Sequence, residues 1–107
     1  MDLNRFQLHG NLTRDPELNQ SGPVPFVLMD LANNRTWTDK DGNVQERTSY
    51  FRVKDFGRMA ENHAQFLRKG SQVFVEGRLQ PTQYEKNGEK VYGIDLVCEY
   101  VKYPPKG

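Results

Sequence analysis

Apolar and polar residues alternate along most of this chain with the period of two expected of strands, and the period changes once. Residues 3–13 (LNRFQLHGNLT) read as a first strand, with Gly10 marking a bulge or bend. Arg14-Asp15-Pro16-Glu17 breaks it, and Ser21-Gly22-Pro23 is the next turn signal. Residues 24–37 form a second strand that ends in a polar stretch holding Trp37. Asp39-Lys40-Asp41-Gly42-Asn43 is a hairpin tip, and residues 46–56 form a third strand. Over residues 58–68, Met59/Ala60, His63/Ala64 and Leu67 fall at helical spacing, and Gly70 stops the segment. Residues 71–84 return to strand, with Gly77 allowing a bulge and Pro81 implying a kink or an edge. Asn87-Gly88 suits a tight hairpin turn, and residues 89–103 are the last strand.

Three strands, a short helix and two strands make an all-β chain with one helix, in the order of the five-stranded OB-fold Greek-key barrel. Its 107 residues have room for one domain, expected over residues 1–103 with a short stub at 104–107. The one cysteine, Cys98, excludes an internal disulfide and any cysteine-cluster zinc site, and fits a reducing, cytoplasmic location. No apolar run reaches membrane-spanning length, and the N-terminus has no signal-peptide core, so no membrane partner is expected. His9 and His63 have no second ligand at metal spacing and read as solvated or packed side chains. With no P-loop or nucleophile elbow, the chain is read as a non-enzyme without catalytic residues, metal or cofactor.

Parity along the third strand carries the clearest functional signal. Phe51 and Val53 fall on the odd, core-like side. Tyr50, Arg52, Lys54 and Phe56 fall on the even side, where two rings interleave with two cations. A core excludes the cations, and an ordinary solvent face has no use for the rings. Single-stranded nucleic acid uses both, rings for bases and cations for phosphates. Trp37 lies among polar residues with Arg35 and Lys40 nearby, and Tyr84 lies beside the last hairpin with Lys86 and Lys90. Tyr92, Tyr100 and Tyr103 alternate with apolar residues and read as core or interface, while Phe6, Phe26, Phe66 and Phe74 read as packing residues. The competing account of Tyr50 and Phe56 is packing on a neighbour or at a subunit contact. The net charge of only +1 requires any basic surface to be local.

The chain also resembles the bacterial-type single-stranded DNA-binding proteins. The resemblance runs through Leu8-His9-Gly10-Asn11-Leu12-Thr13-Arg14-Asp15-Pro16-Glu17, Trp37-Thr38-Asp39-Lys40 and Phe56-Gly57-Arg58-Met59-Ala60-Glu61. It continues through Leu67-Arg68-Lys69-Gly70-Ser71-Gln72-Val73 and Val75-Glu76-Gly77-Arg78-Leu79. It implies an OB-fold that assembles as a homo-oligomer, usually a tetramer, and binds single-stranded DNA in replication, recombination and repair. It assigns stacking to Trp37, Tyr50, Phe56 and Tyr84, and basic contacts to Arg5, Lys40, Arg52, Arg58 and Lys69. With Arg35 and Lys54 these make the expected phosphate-binding patch. Gln80-Pro81-Thr82-Gln83 departs from members with basic residues before the last aromatic position. The family's flexible linker and acidic tip are also missing from this sequence, which stops at Pro104-Pro105-Lys106-Gly107. The expectation is a naturally short form, for example from a mobile element or phage, or a trimmed chain, without tail-dependent repair or replication partners. Two alternatives stay open: a dimeric primosome-type accessory OB protein, and an OB module that binds protein or oligosaccharide.

Overall fold

In the computed structural model of this chain, which describes residues 2–104, the alternating segments become six strands and one helix. β1 is Phe6–Leu12, β2 Glu17–Asn19, β3 Phe26–Thr38, β4 Val44–Phe56, β5 Gln72–Lys86 and β6 Glu89–Lys102. The helix α1, Gly57–Phe66, lies between β4 and β5. Of the expected stub at 104–107, everything past Pro104 lies outside the described residues.

The strand order is β1-β5-β6-β4-β3-β2. β1 also pairs with β3, at Asn11–Ala32 and Leu12–Leu31, which closes every strand except β2 into a barrel. Neighbours run antiparallel, apart from a short parallel contact of β4 with β6 at Val53–Leu96 and Lys54–Val97. This is the OB-fold topology expected from the sequence. β2 corrects that reading. Its three residues pair with Phe26–Leu28 of β3 where a plain break was expected. A strand this short shows no alternation, and Pro16 sits just before it, where no ladder N–H is needed.

One face of each barrel strand supplies the core. Val27, Met29 and Leu31 of β3, Val53 of β4, and Val73 and Val75 of β5 are almost completely buried. Ala60, His63 and Leu67 close the barrel from the helix side. Two glycines permit close backbone crossings. A Cβ on Gly10 would lie 2.4 Å from the Ala32 carbonyl oxygen, where β1 folds onto β3. A Cβ on Gly77 would lie 1.8 Å from the Val97 carbonyl oxygen, beside the register shift that makes the expected bulge.

The helix is shorter than its periodicity implies. Leu67 is already extended (φ −101°, ψ 150°), and the Arg68 guanidinium donates to the carbonyls of Ala64, Gln65 and Leu67. Those orphan acceptors are thereby satisfied without another turn. Phe66 is 61% exposed and is not the packing residue expected. His63 is a packed histidine, fully buried, with Nε2 2.7 Å from Asp55 Oδ2 and Nδ1 bonded to the Tyr103 hydroxyl. Cys98 is a packing residue, and burial pushes its thiol up to about 12. Among the described residues, no helix is long and apolar enough to cross a membrane.

Two hairpin arms leave the barrel. The β3–β4 ladder continues past its last contact with other strands to Thr38–Val44, and the β5–β6 ladder continues to Lys86–Glu89. Asn87 (φ 54°) and Gly88 (φ 82°) make the second tip the two-residue turn expected of Asn-Gly. At the first tip, Asp39 Oδ1 accepts from the backbone N–H groups of Asp41 and Asn43, and Oδ2 accepts from Gln45 Nε2. The Asn43 N–H is the main reason the Asp39 carboxyl titrates below its ordinary value.

Candidate nucleic-acid interface

Register and period place the predicted rings. In an antiparallel ladder, residues directly opposite share a face. Phe26–Phe56, Leu28–Lys54, Asp30–Arg52 and Ala32–Tyr50 are such pairs. Tyr50, Arg52, Lys54 and Phe56 therefore form one row on the outside of the barrel, as parity predicts. Val53 beneath them is fully buried. Tyr50 is 73% exposed and Phe56 42%. Phe26 joins this row: its ring lies 6.4 Å from that of Phe56, and Lys54 Nζ sits 4.6 Å from the Phe26 ring and 5.5 Å from the Phe56 ring. Parity along β3 sets Phe26 apart from the buried Val27, Met29 and Leu31, and the register with Phe56 brings it into this row.

The structure does not gather the other rings onto this row. Trp37 pairs with Gln45, so it lies on the opposite face of the β3–β4 arm from Tyr50. It is 40% exposed, and the Arg35 guanidinium carbon lies 5.5 Å from its ring. Tyr84, opposite Val91, stands on the second arm and is 56% exposed. β4 and β6 pair at only two positions near the barrel, so the arms that carry Tyr50 and Tyr84 are not laddered to each other.

The cations fall into two classes. Arg52 holds Asp30 through Nε and Nη2, at 2.8 and 3.1 Å, and Arg14 holds the same carboxylate at 2.8 Å. Lys54 lies 3.8 Å from Asp95, and Arg5 lies 3.5 Å from Glu76. These three predicted phosphate contacts thus carry a carboxylate already. Among the described residues, Arg35, Lys40, Arg58 and Lys69 have no ion pair. Arg58 follows Phe56 at the start of α1, and Lys69 shares a depression with Arg14, Asp15, Pro16 and Glu17. Asp15 there accepts the Lys69 backbone N–H. The sequence reading missed Arg14 and Asp30. Its signal was a lone carboxylate inside the apolar run Val27–Leu31.

The hydrogen bond from Arg52 is the main cause that holds the Asp30 carboxyl below its ordinary value. A carboxyl lowered on folding contributes stability above its unfolded value, and that contribution is lost as pH falls through the folded value. Urea melts from pH 7 down to pH 3 should show the wild type losing this contribution below about pH 4. Asp30→Asn should be less stable at pH 7 and show a flatter acid limb. Parallel profiles would mean that the Asp30 pair contributes nothing in solution.

Among the described residues, no group of three His, Cys, Asp or Glu is placed to hold a metal ion. What the surface offers is exposed rings on two arms and an outer barrel row, with cations beside them.

Residues 3–103 match the Single-strand binding protein family. The chain is 43% identical over 101 residues to "Single-stranded DNA-binding protein 1" of Xylella fastidiosa (strain 9a5c), covering 91% of this chain and 74% of that protein. It is 39% identical over 109 residues to the "Single-stranded DNA-binding protein" of Aquifex aeolicus (strain VF5), covering 98% and 74%. Among solved structures, the wild-type single-stranded DNA binding protein of Thermus aquaticus superposes with a TM-score of 0.83 at 36% identity, covering 96% of this chain and 50% of that one. The Plasmodium falciparum SSB complex with ssDNA matches in fold, with a TM-score of 0.83 at 21% identity, covering 98% and 97%. The chain spans between 54% and 74% of the length of five curated relatives.

Proposed function

Because this chain belongs to the single-strand binding protein family, matched over residues 3–103, we propose that it binds single-stranded DNA without sequence preference, as a binding protein rather than an enzyme. The observation that carries this reading is the outward row of Tyr50, Arg52, Lys54 and Phe56 over a sealed core. Bases stack on Tyr50 and Phe56 there, and on Trp37 and Tyr84 along the two arms. Every base has a π-face, so stacking tolerates any sequence. Phosphates are met by Arg35, Lys40, Arg58 and Lys69, and by Arg5, Arg52 and Lys54 when the strand competes with their carboxylates. This protects and organises single strands in replication, recombination and repair.

The protein works as a homo-oligomer, a tetramer by analogy with the family. Leu79, Ile94 and Tyr92 support self-association. They are 38%, 65% and 70% exposed and follow one another along one face of the β5–β6 arm. Tyr92, read from the sequence as core or interface, is too exposed for the core.

Competition separates this reading from the protein- or sugar-binding alternative. An oligo-dT should displace a labelled single strand, while duplex DNA and neutral oligosaccharides should not. Displacement by the oligosaccharide with none by oligo-dT would reverse the assignment.

A further inference from the structure

Arg47 is a basic residue that neither parity nor resemblance singled out. It lies directly opposite Arg35 in the β3–β4 ladder, so two guanidinium groups leave the same face of the arm side by side. Like charges directly opposite each other destabilise a sheet. Elsewhere among the described residues the ladders hold no uncompensated pair of this kind: Arg14 and Arg52 also converge, but on the carboxylate of Asp30. No carboxylate lies within ion-pair distance of Arg35 or Arg47 among the described residues.

The surrounding positions do not supply the missing charge. The flanking pairs on that face are Asn33–Ser49 and Trp37–Gln45, all neutral. Glu46 pairs with Thr36 and so lies on the other face. Asp39, at the tip, is occupied by two backbone N–H groups and Gln45. Arg35 is also held over the Trp37 ring, which fixes one guanidinium beside a stacking surface.

We infer that Arg35 and Arg47 together grip a single phosphodiester, on the Trp37 face of the β3–β4 arm. The inference rests on the single-stranded DNA reading and deepens it. The base next to that phosphate stacks on Trp37. Because Tyr50 faces the other way, the strand engages both faces of the arm and passes around it. The two positive charges disfavour each other in the free protein, and the phosphate relieves that repulsion on binding.

The test uses the full chain, oligo-dT and a series of salt concentrations. Arg35→Gln and Arg47→Gln should each weaken binding about tenfold at low salt, the scale of a lost charged hydrogen bond. Each should reduce the salt slope by less than about 0.7, the value for one phosphate on a single strand, because the remaining guanidinium still neutralises that phosphate. The double variant should reduce it by about 0.7 in total, because both residues serve one phosphate. A double-variant reduction of about 1.4 would mean two separate contacts and would overturn the shared grip.

Arg47→Glu adds a readout that a passive surface residue would not move. It places a carboxylate opposite Arg35, so the melting temperature should hold or rise while ssDNA affinity falls more than tenfold. Wild-type affinity in all of these variants, with Trp37 emission still quenched by oligo-dT, would overturn the clamp and leave the broader function standing. No binding of oligo-dT by the wild type would overturn both.

Discussion

Trp37→Ala and Tyr50→Ala, combined in one chain, are expected to weaken oligo-dT binding by about 2–6 kcal/mol, or from roughly 30-fold to more than 10⁴-fold. Each ring accounts for about 1–3 kcal/mol of base stacking. The two losses should add. Tyr50 pairs with Ala32, five residues before Trp37 on β3. At strand rise that is about 16 Å along the ribbon, beyond the range at which neighbouring substitutions couple. The residues also occupy opposite faces, so no single base can touch both. Isothermal titration of the two single variants and the double would measure this. A double variant no weaker than the worse single would mean that only one face of the arm meets DNA. Both variants should keep the wild-type melting temperature, since both side chains stand away from the core.

His63→Ala should act in the opposite sense, by lowering stability without touching the binding surface. The His63 ring is fully buried between Asp55 and Tyr103. The network is satisfied when Nε2–H donates to the Asp55 carboxylate and Nδ1 accepts the Tyr103 hydroxyl proton. Removing the ring deletes two hydrogen bonds, leaves a cavity, and leaves Asp55 Oδ2 unpaired while Oδ1 keeps the Phe56 N–H. Together these cost about 3 kcal/mol or more. For a domain of this size that lowers the melting temperature by on the order of 12–24 °C. Tyr103→Phe keeps the packing but leaves the buried His63 Nδ1 unpaired, so it should cost about 1–3 kcal/mol. A His63→Ala protein melting at the wild-type temperature would show that the buried network does not hold α1 and the end of β6 together.

The fold was legible in the sequence because its strands are long and its breaks are chemically loud. Gly10 and Gly77 mark two close backbone crossings, and Asn87-Gly88 spells out its turn. β2 was hidden because three residues carry no period. The last two residues of the predicted helix fall outside it because Arg68 satisfies the terminal carbonyls, which periodicity cannot show. Parity found Tyr50, Arg52, Lys54 and Phe56 because it needs only one strand. It could not find Arg14 with Asp30, or Arg35 with Arg47, because those pairs exist only once the register between strands is set. The same limit explains why Trp37 and Tyr50 read as neighbours in chemistry yet stand on opposite faces. It also explains His63 and Tyr103, forty residues apart in sequence and joined only by the barrel's closure.

The central claim is that exposed rings on this barrel stack the bases of a single strand while nearby cations meet its phosphates. Trp37, the chain's one tryptophan, reports on it directly. Oligo-dT should quench its emission to saturation, and the affinity read from that quenching should fall linearly in log[salt], by about 0.7 per phosphate neutralised. Unchanged emission at saturating oligo-dT, or an affinity indifferent to salt, would contradict the account.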